Sequence, residues 1–243
     1  MKIHDRNVFL RFLLSFPILV LSIVGGANIF ADSNLGYTRE LQVLATYNTK
    51  SSEAGSVFPG TTVSGPAIDV RINFSTIGML FFRDSPFMFG DHIGFGIGAG
   101  YFSKTNSGSN VMMPVNFEGG LKAAYKINDD FEVGIKWIYL GANQYMDYKN
   151  DFYIGQKNAF APTARYKDIM ATIGFGTAMI ADNPKLAKSD AATGTYLMAE
   201  GRYFFGDKYI LVRFEKFNGT FDLAGGGTRT DSATQFTAGF GMM

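Results

Sequence analysis

The sequence predicts an all-β chain closed as an antiparallel up-and-down transmembrane barrel, and three observations carry that expectation. Residues 92–102 alternate without a break, with Ile93, Phe95, Ile97, Ala99 and Tyr101 set against Gly94, Gly96, Gly98 and Gly100. A period of two over this length is a strand with one apolar face and one bare face. A soluble sandwich places polar side chains opposite its buried face. Large apolar groups opposite almost nothing suit a wall with lipid outside and a confined lumen inside. Second, the same alternation recurs along most of the chain. Third, aromatics reach 15%, glycines number 29, cysteine is absent, and no later run approaches the about 20 apolar residues of a membrane helix.

The first residues have the order of an export signal. Lys2, Arg6 and Arg11 precede an apolar run from Phe12 to Val24, and the small residues Gly25, Gly26 and Ala27 follow. Cleavage is expected after Ala27 or Ala31, so residues 1–31 read as a signal peptide and 32–243 as one barrel domain. Basic and acidic residues nearly balance in that domain, as they do in the whole chain at a formal charge of +1. No basic excess is available to neutralise phosphates, which argues against a nucleic-acid partner.

Candidate strands run near 38–48, 66–82, 92–103, 112–127, 131–142, 165–180, 194–205, 208–217 and 232–242. In the second, Ile68, Val70, Ile72 and Phe74 alternate with Asp69, Arg71 and Asn73. In the fourth, Val115, Phe117, Leu121, Ala123 and Tyr125 alternate with Asn116, Glu118, Lys122 and Lys126. In the fifth, Phe131, Val133, Ile135 and Trp137 alternate with Glu132 and Lys136. Nine strands is an odd number, which an up-and-down barrel of this kind does not use. Between Trp137 and Ala164 the residues Tyr145, Asp147, Lys149, Asp151 and Tyr153 hint at one more, poorly patterned strand. The expectation is therefore ten strands, with eight as the alternative.

Two turns fix registers. A three-residue loop at Asn128-Asp129-Asp130 pairs Ile127 with Phe131 and Lys126 with Glu132, keeping the polar residues of both strands on one face. At Gly206-Asp207 the two-residue loop is the consistent choice. It fits a turn with Gly first and sets Glu200 opposite Arg213. Short turns are expected near 83–91, 128–130 and 206–207, and longer loops at 49–64, 104–111, 181–193 and 218–231.

The inward charges are then Asp69, Glu118, Glu132, Glu200 and Glu215 against Arg71, Lys122, Lys126, Lys136, Arg202 and Arg213. Confined charges are tolerated when paired, so these are expected to form a structural ion-pair network filling a narrow barrel. A mildly selective channel lining is the functional alternative.

The export signal, Tyr125-Lys-Ile-Asn-Asp-Asp-Phe-Glu-Val-Gly, Tyr203-Phe-Phe-Gly-Asp-Lys-Tyr and the closing Phe236-Thr-Ala-Gly-Phe together resemble the small Gram-negative outer-membrane β-barrels, OmpA/OmpX-like or porin-like. The resemblance spans the mature chain and identifies a class. It implies an outer-membrane location, with membrane lipids and, during biogenesis, the barrel-insertion machinery as partners. The chain departs from the class in one place: its last aromatic, Phe240, is followed by Gly241, Met242 and Met243.

Other motifs yield to plainer readings. Gly94, Gly96, Gly98 and Gly100 lack the turn and helix of a dinucleotide site and instead leave room for long side chains from other strands. His92 is the only histidine after residue 31. A lipid-modifying enzyme would need it on the wall with a serine in reach, whereas it opens a strand at the predicted periplasmic rim. Phe81, Phe82, Phe87, Phe89, Tyr125, Phe131, Tyr203, Phe205 and Phe240 fall near one barrel end as a headgroup-level girdle. No metal-ligand cluster or cofactor motif is found. The expected protein is non-enzymatic, with a structural or surface-interaction role and a largely occluded lumen. A narrow solute channel, an outer-membrane lipid enzyme and a soluble lipocalin-like binder follow in that order.

Overall fold

A computed structural model of the chain describes residues 40–52, 61–74, 86–105, 108–147, 152–181, 192–222 and 227–243. The expected signal peptide, and Phe81 and Phe82 of the expected girdle, lie outside the described residues. Ten strands are present: β1 (Glu40–Ser52), β2 (Thr61–Phe74), β3 (Phe87–Lys104), β4 (Gly108–Lys126), β5 (Phe131–Asp147), β6 (Phe152–Tyr166), β7 (Ile169–Ala181), β8 (Ala192–Phe205), β9 (Lys208–Asp222) and β10 (Thr228–Met242). Each pairs antiparallel with its sequence neighbours, and β1 pairs with β10, so the sheet closes on itself.

The closure is staggered. From Glu40 the pairings pass through Asn73, Gly94, Glu118, Gly141, Lys157, Ala178, Gly194, Gly219 and Asp231, and re-enter β1 at Ser52, twelve residues along the strand. Such a shear goes with strands tilted by about 35–45° to the barrel axis.

The alternation of the sequence becomes the two faces of the wall. Ile68, Ile135, Ile173, Phe175, Leu197, Ile210, Val212 and Phe214 point outward and are exposed, Ile68 and Ile173 at 63%. So much exposed apolar surface belongs in hydrocarbon and not in water. Phe87, Phe89, Tyr125, Tyr203, Phe205 and Phe240 form the aromatic end of this belt, joined by Tyr166 and Ile169. The Phe205 and Phe240 rings lie 6.1 Å apart across the strand pairs. That end carries the β4–β5, β6–β7 and β8–β9 turns and the close of β10.

Both registers argued from the turns are present. Lys126 pairs with Glu132, and the Ile127 amide donates to the Phe131 carbonyl at 3.0 Å. Glu200 pairs with Arg213. Gly206 supplies the left-handed φ of 70° that this two-residue turn requires at its first position.

Several boundaries differ from expectation. Phe87–Asp91 is strand, not turn, because the inward/outward alternation of β3 begins at Phe87 and simply continues through His92. The connection from β2 to β3 is thus the long one at the terminus end. The expected loop at 104–111 shrinks to 105–107, since β3 and β4 pair as far as Lys104 and Gly108. The tenth strand is β6, but of the residues that hinted at it only Tyr153 lies there: Tyr145 and Asp147 continue β5, Lys149 and Asp151 lie outside the described residues, and a Lys167-Asp168 turn separates β6 from β7.

The glycine face of β3 makes room for side chains from another strand, as the sequence suggests. Asn73 and Arg71 of adjacent β2 lie over it, so a Cβ at Gly94 would sit 2.3 Å from Asn73 Oδ1, and one at Gly96 2.6 Å from Arg71 Cγ. At Gly98 the obstacle is backbone, with the Ile68 carbonyl oxygen at 2.2 Å.

Candidate functional site in the barrel lumen

The lumen is layered along its axis. Near the terminus end, Leu44, Met170, Phe204, Tyr209 and Leu211 form a buried apolar cluster against which Met243 packs. Further along, Ala159, Ala161, Ala178, Tyr196, Met198 and Phe217 form a second, and Val63, Ala67 and Phe102 a third. Between them on β8 and β9, and reaching the terminus end on β1 and β2, lies a polar layer built from inward positions of β1, β2, β3, β4, β5, β6, β8 and β9.

Four linked groups make up this layer. In the first, Arg202 donates to Glu40 through Nη1 (2.7 Å) and to Glu200 through Nε (2.7 Å), and Arg213 also donates to Glu200. Glu40 accepts in addition from Gln42 and Asn73, each at 3.1 Å. In the second, Glu118 Oε1 takes Lys136 Nζ at 2.6 Å and His92 Nε2 at 2.7 Å. In the third, Asp69 holds Arg71 Nε at 2.9 Å and the Asn116 amide at 3.1 Å. In the fourth, Lys157 and the Tyr196 hydroxyl both donate to Glu215.

Of the residues singled out from the sequence, Asp69, Arg71, Glu118, Lys136, Glu200, Arg202, Arg213 and Glu215 enter these groups. Lys122 faces the same space and is the register partner of Lys136. Glu132 is buried and paired in register with Arg165 on β6. Lys126 lies apart, at the rim, where its ammonium reaches Asp129 of the turn at 2.9 Å.

His92 is not at the rim. It lies on the inner wall with a side chain only 12% exposed, because it shares the parity of Gly94 and Gly96. Glu40, Gln42, Lys157, Tyr196 and Tyr209 complete the layer and were missed. Glu40 and Gln42 share the inward parity of Leu44, a signal the sequence did carry. Lys157 sits on the strand whose pattern could not be read.

Several of these bonds span the bore rather than run along one strand pair. Arg202 on β8 meets Glu40 on β1, with β9 and β10 lying between them in the sheet. Lys157 on β6 meets Glu215 on β9, and Gln42 on β1 donates to the Tyr209 hydroxyl on β9 at 2.8 Å. A cavity of about 110 Å³ lies in the charged layer. Among the described residues no group of three or more His, Cys, Asp or Glu side chains could hold a metal ion.

No family model matches the sequence, and no curated protein matches it. Solved structures do. The transport unit of the autotransporter AIDA-I from Escherichia coli is 5% identical over 89% of this chain and 94% of its own, at a TM-score of 0.43. An outer-membrane channel from Pseudomonas putida F1 is 11% identical over 86% and 100%, at 0.40. The outer-membrane protease OmpT from Escherichia coli is 8% identical over 87% and 99%, at 0.38. The likeness is one of fold. The apolar outer wall suits the chain to a lipid bilayer.

Proposed function

We propose that the protein is a non-enzymatic outer-membrane barrel with a structural or surface-presenting role and an occluded lumen. The observation that carries this reading is the set of charged hydrogen bonds that cross the bore, Arg202 to Glu40 above all. In a water-filled pore such groups would line opposite walls, each solvated separately. Here the side chains meet and replace water as one another's partners, which a ten-stranded bore is narrow enough to allow. Buried charges are tolerated on those terms. On β8 and β9 apolar residues flank the charged ones on both sides, Phe204 and Tyr209 toward the short turns and Met198 and Phe217 away from them.

The test is planar-bilayer recording of refolded protein. Wild type is expected to show little steady conductance and Glu200→Ala more, because that carboxylate holds both arginines in place. A large, stable wild-type conductance would overturn the occluded reading and favour a narrow porin-like channel.

A further inference from the structure

We infer that the outer wall of β8, β9, β10 and β1 carries a binding surface for the phosphorylated headgroup of a glycolipid, with Lys216 taking the phosphate. The surface is on the outside of the barrel, so the inference stands whether the lumen is sealed or open.

The outward positions of these four strands change character row by row. One cross-strand row runs Ala199, Phe214, Phe236 and Tyr47, and its three rings are exposed as part of the apolar band. The next row, away from the short turns, is Leu197, Lys216, Thr234 and Thr49. Beyond it stand Thr195, Asn218, Ser232 and Ser51, and then Thr193, Thr220 and Thr230. Lys216 therefore marks the top edge of the hydrocarbon-facing wall. Short turns face the periplasm in barrels of this type, so this edge lies at the outer leaflet.

The chemistry of the collar says what it meets. Lys216 is the one charge in these last three rows, and apart from Leu197 every other side chain in them is Thr, Ser or Asn. The first acid further out on β9 is Asp222, the last residue of the strand. A wall bathed only by water carries many charges of both signs. Hydroxyls and amides both donate and accept, as sugar hydroxyls do, and they can be covered by a saccharide without the cost of desolvating charge. A lysine at the edge of hydrocarbon reaches out to the headgroups, where phosphate is its natural partner. Lys216 is exposed, and among the described residues it pairs with no carboxylate.

Height is a separate argument. From Lys216 to Thr220 on β9, and from Thr234 to Thr230 on β10, the collar covers about 13 Å of strand. At the tilt of such a barrel that is about 10 Å along the axis. The polar region of a phospholipid leaflet is about 5–8 Å deep. The collar is thus taller than a phospholipid headgroup and matches a phosphate-bearing saccharide.

Native mass spectrometry of the folded full chain, released from detergent micelles, tests the surface. The probes are a bisphosphorylated, acylated disaccharide lipid, the same lipid without phosphate, and phosphatidylglycerol. One bisphosphorylated lipid per barrel is expected, with the other two binding at least tenfold more weakly. Lys216→Gln should weaken that adduct at least fivefold, and Lys216→Arg should keep it. Lys208→Gln should keep it too, because Lys208 is exposed on the same outer face of β9 but at the short-turn end. Heat-modifiable gel mobility establishes that each variant is folded. If Lys216→Gln does not fold, wild type decides: equal binding of the phosphorylated and phosphate-free lipids would overturn the inference. So would no adduct in wild type, equal binding of phosphatidylglycerol, or an unchanged adduct in folded Lys216→Gln. A sealed wild type without the adduct sinks this inference alone, whereas a conducting wild type that keeps it sinks only the occluded reading.

Discussion

β3 and β8 face each other across the barrel, five strands apart in either direction around the closed sheet, and their inner faces are opposites. Between His92 and Phe102, the inner face of β3 offers only Gly94, Gly96, Gly98 and Gly100, with no side chain beyond the backbone. β8 offers Tyr196, Met198, Glu200, Arg202 and Phe204, and its neighbour β9 adds Tyr209, Leu211, Arg213, Glu215 and Phe217. A barrel of ten strands has a fixed bore, so long side chains on one wall need short ones elsewhere. The bare wall is not simply open space, however. Asn73, Arg71 and Asp69 from β2 fold across it and bring the charged layer up to β4 through Asn116. The division of labour between the walls concentrates charge at one level, and a single carboxylate such as Glu200 then holds two strands' worth of arginine.

The loaded wall should show the largest effect. Glu200→Ala removes the carboxylate that buried Arg213 shares with part-buried Arg202, leaving Arg202 only Glu40, and breaking a buried pair in this way costs about 3–5 kcal/mol. Urea unfolding of the barrel in detergent would measure it. Exchanging the charges, Glu200→Arg with Arg213→Glu, should not restore the loss. The new arginine would stand beside Arg202 and the new glutamate beside Glu215, so the exchange trades two attractions for two repulsions. Full recovery in the exchanged protein would mean that Glu200 and Arg213 form an isolated pair, contrary to the network.

The bare wall should respond to far smaller changes in the side chain, and by sterics alone. Gly98→Ala adds one methyl, yet its Cβ would press on the Ile68 carbonyl oxygen at 2.2 Å and on Asp69 Cβ at 2.8 Å. A backbone contact of that kind cannot be relieved by a rotamer, and overpacking of this sort costs about 1–3 kcal/mol. Gly201→Ala on β8 meets only Val212 Cγ2, at 3.8 Å, and should leave the unfolding midpoint unchanged. Equal tolerance at the two positions would show that β3 and β2 are held less closely than the register implies.

The same contrast explains what could be read from the sequence. β3, β4, β5, β8 and β9 were legible because a large apolar outer residue alternates with something chemically different inside. Their hairpin registers followed because only one loop length keeps the polar faces together. β6 obeys the same geometry with the contrast removed. Its inner Ala159 and Ala161 are almost fully buried, while its outer face carries Asn158, Pro162 and Ala164 beside Phe160. Small residues fall on both faces, so no period stands out. Its turn into β7 hides as well, since Lys167 rather than glycine takes the left-handed φ of 53°. The lumen charges on well-patterned strands were found by parity, and Lys157 was lost with β6. His92 shows the opposite failure, because its parity was correct but a turn was assumed where β3 continues.

The smallest effect belongs to Lys126, the one charge singled out from the sequence that lies outside the lumen layer. Lys126 reaches Asp129 at the β4–β5 turn, where the aspartate is fully in solvent. The hydrogen bond from Lys126, with its positive charge, holds the Asp129 carboxyl below its usual value of 3.8. A folded-state value below the unfolded one means the stabilisation is present above the unfolded value and is lost as pH falls through the folded one. Between pH 7 and pH 5 the pair should therefore contribute without change, and solvent screening keeps that contribution slight. NMR titration of the Asp129 carboxyl should give a midpoint below 3.8 in wild type and a rise toward it in Lys126→Met. The urea midpoint of Lys126→Met should stay at the wild-type value, in contrast to Glu200→Ala. A loss in Lys126→Met as large as that in Glu200→Ala would mean that burial does not separate the two pairs, and the distinction between rim and lumen would fall.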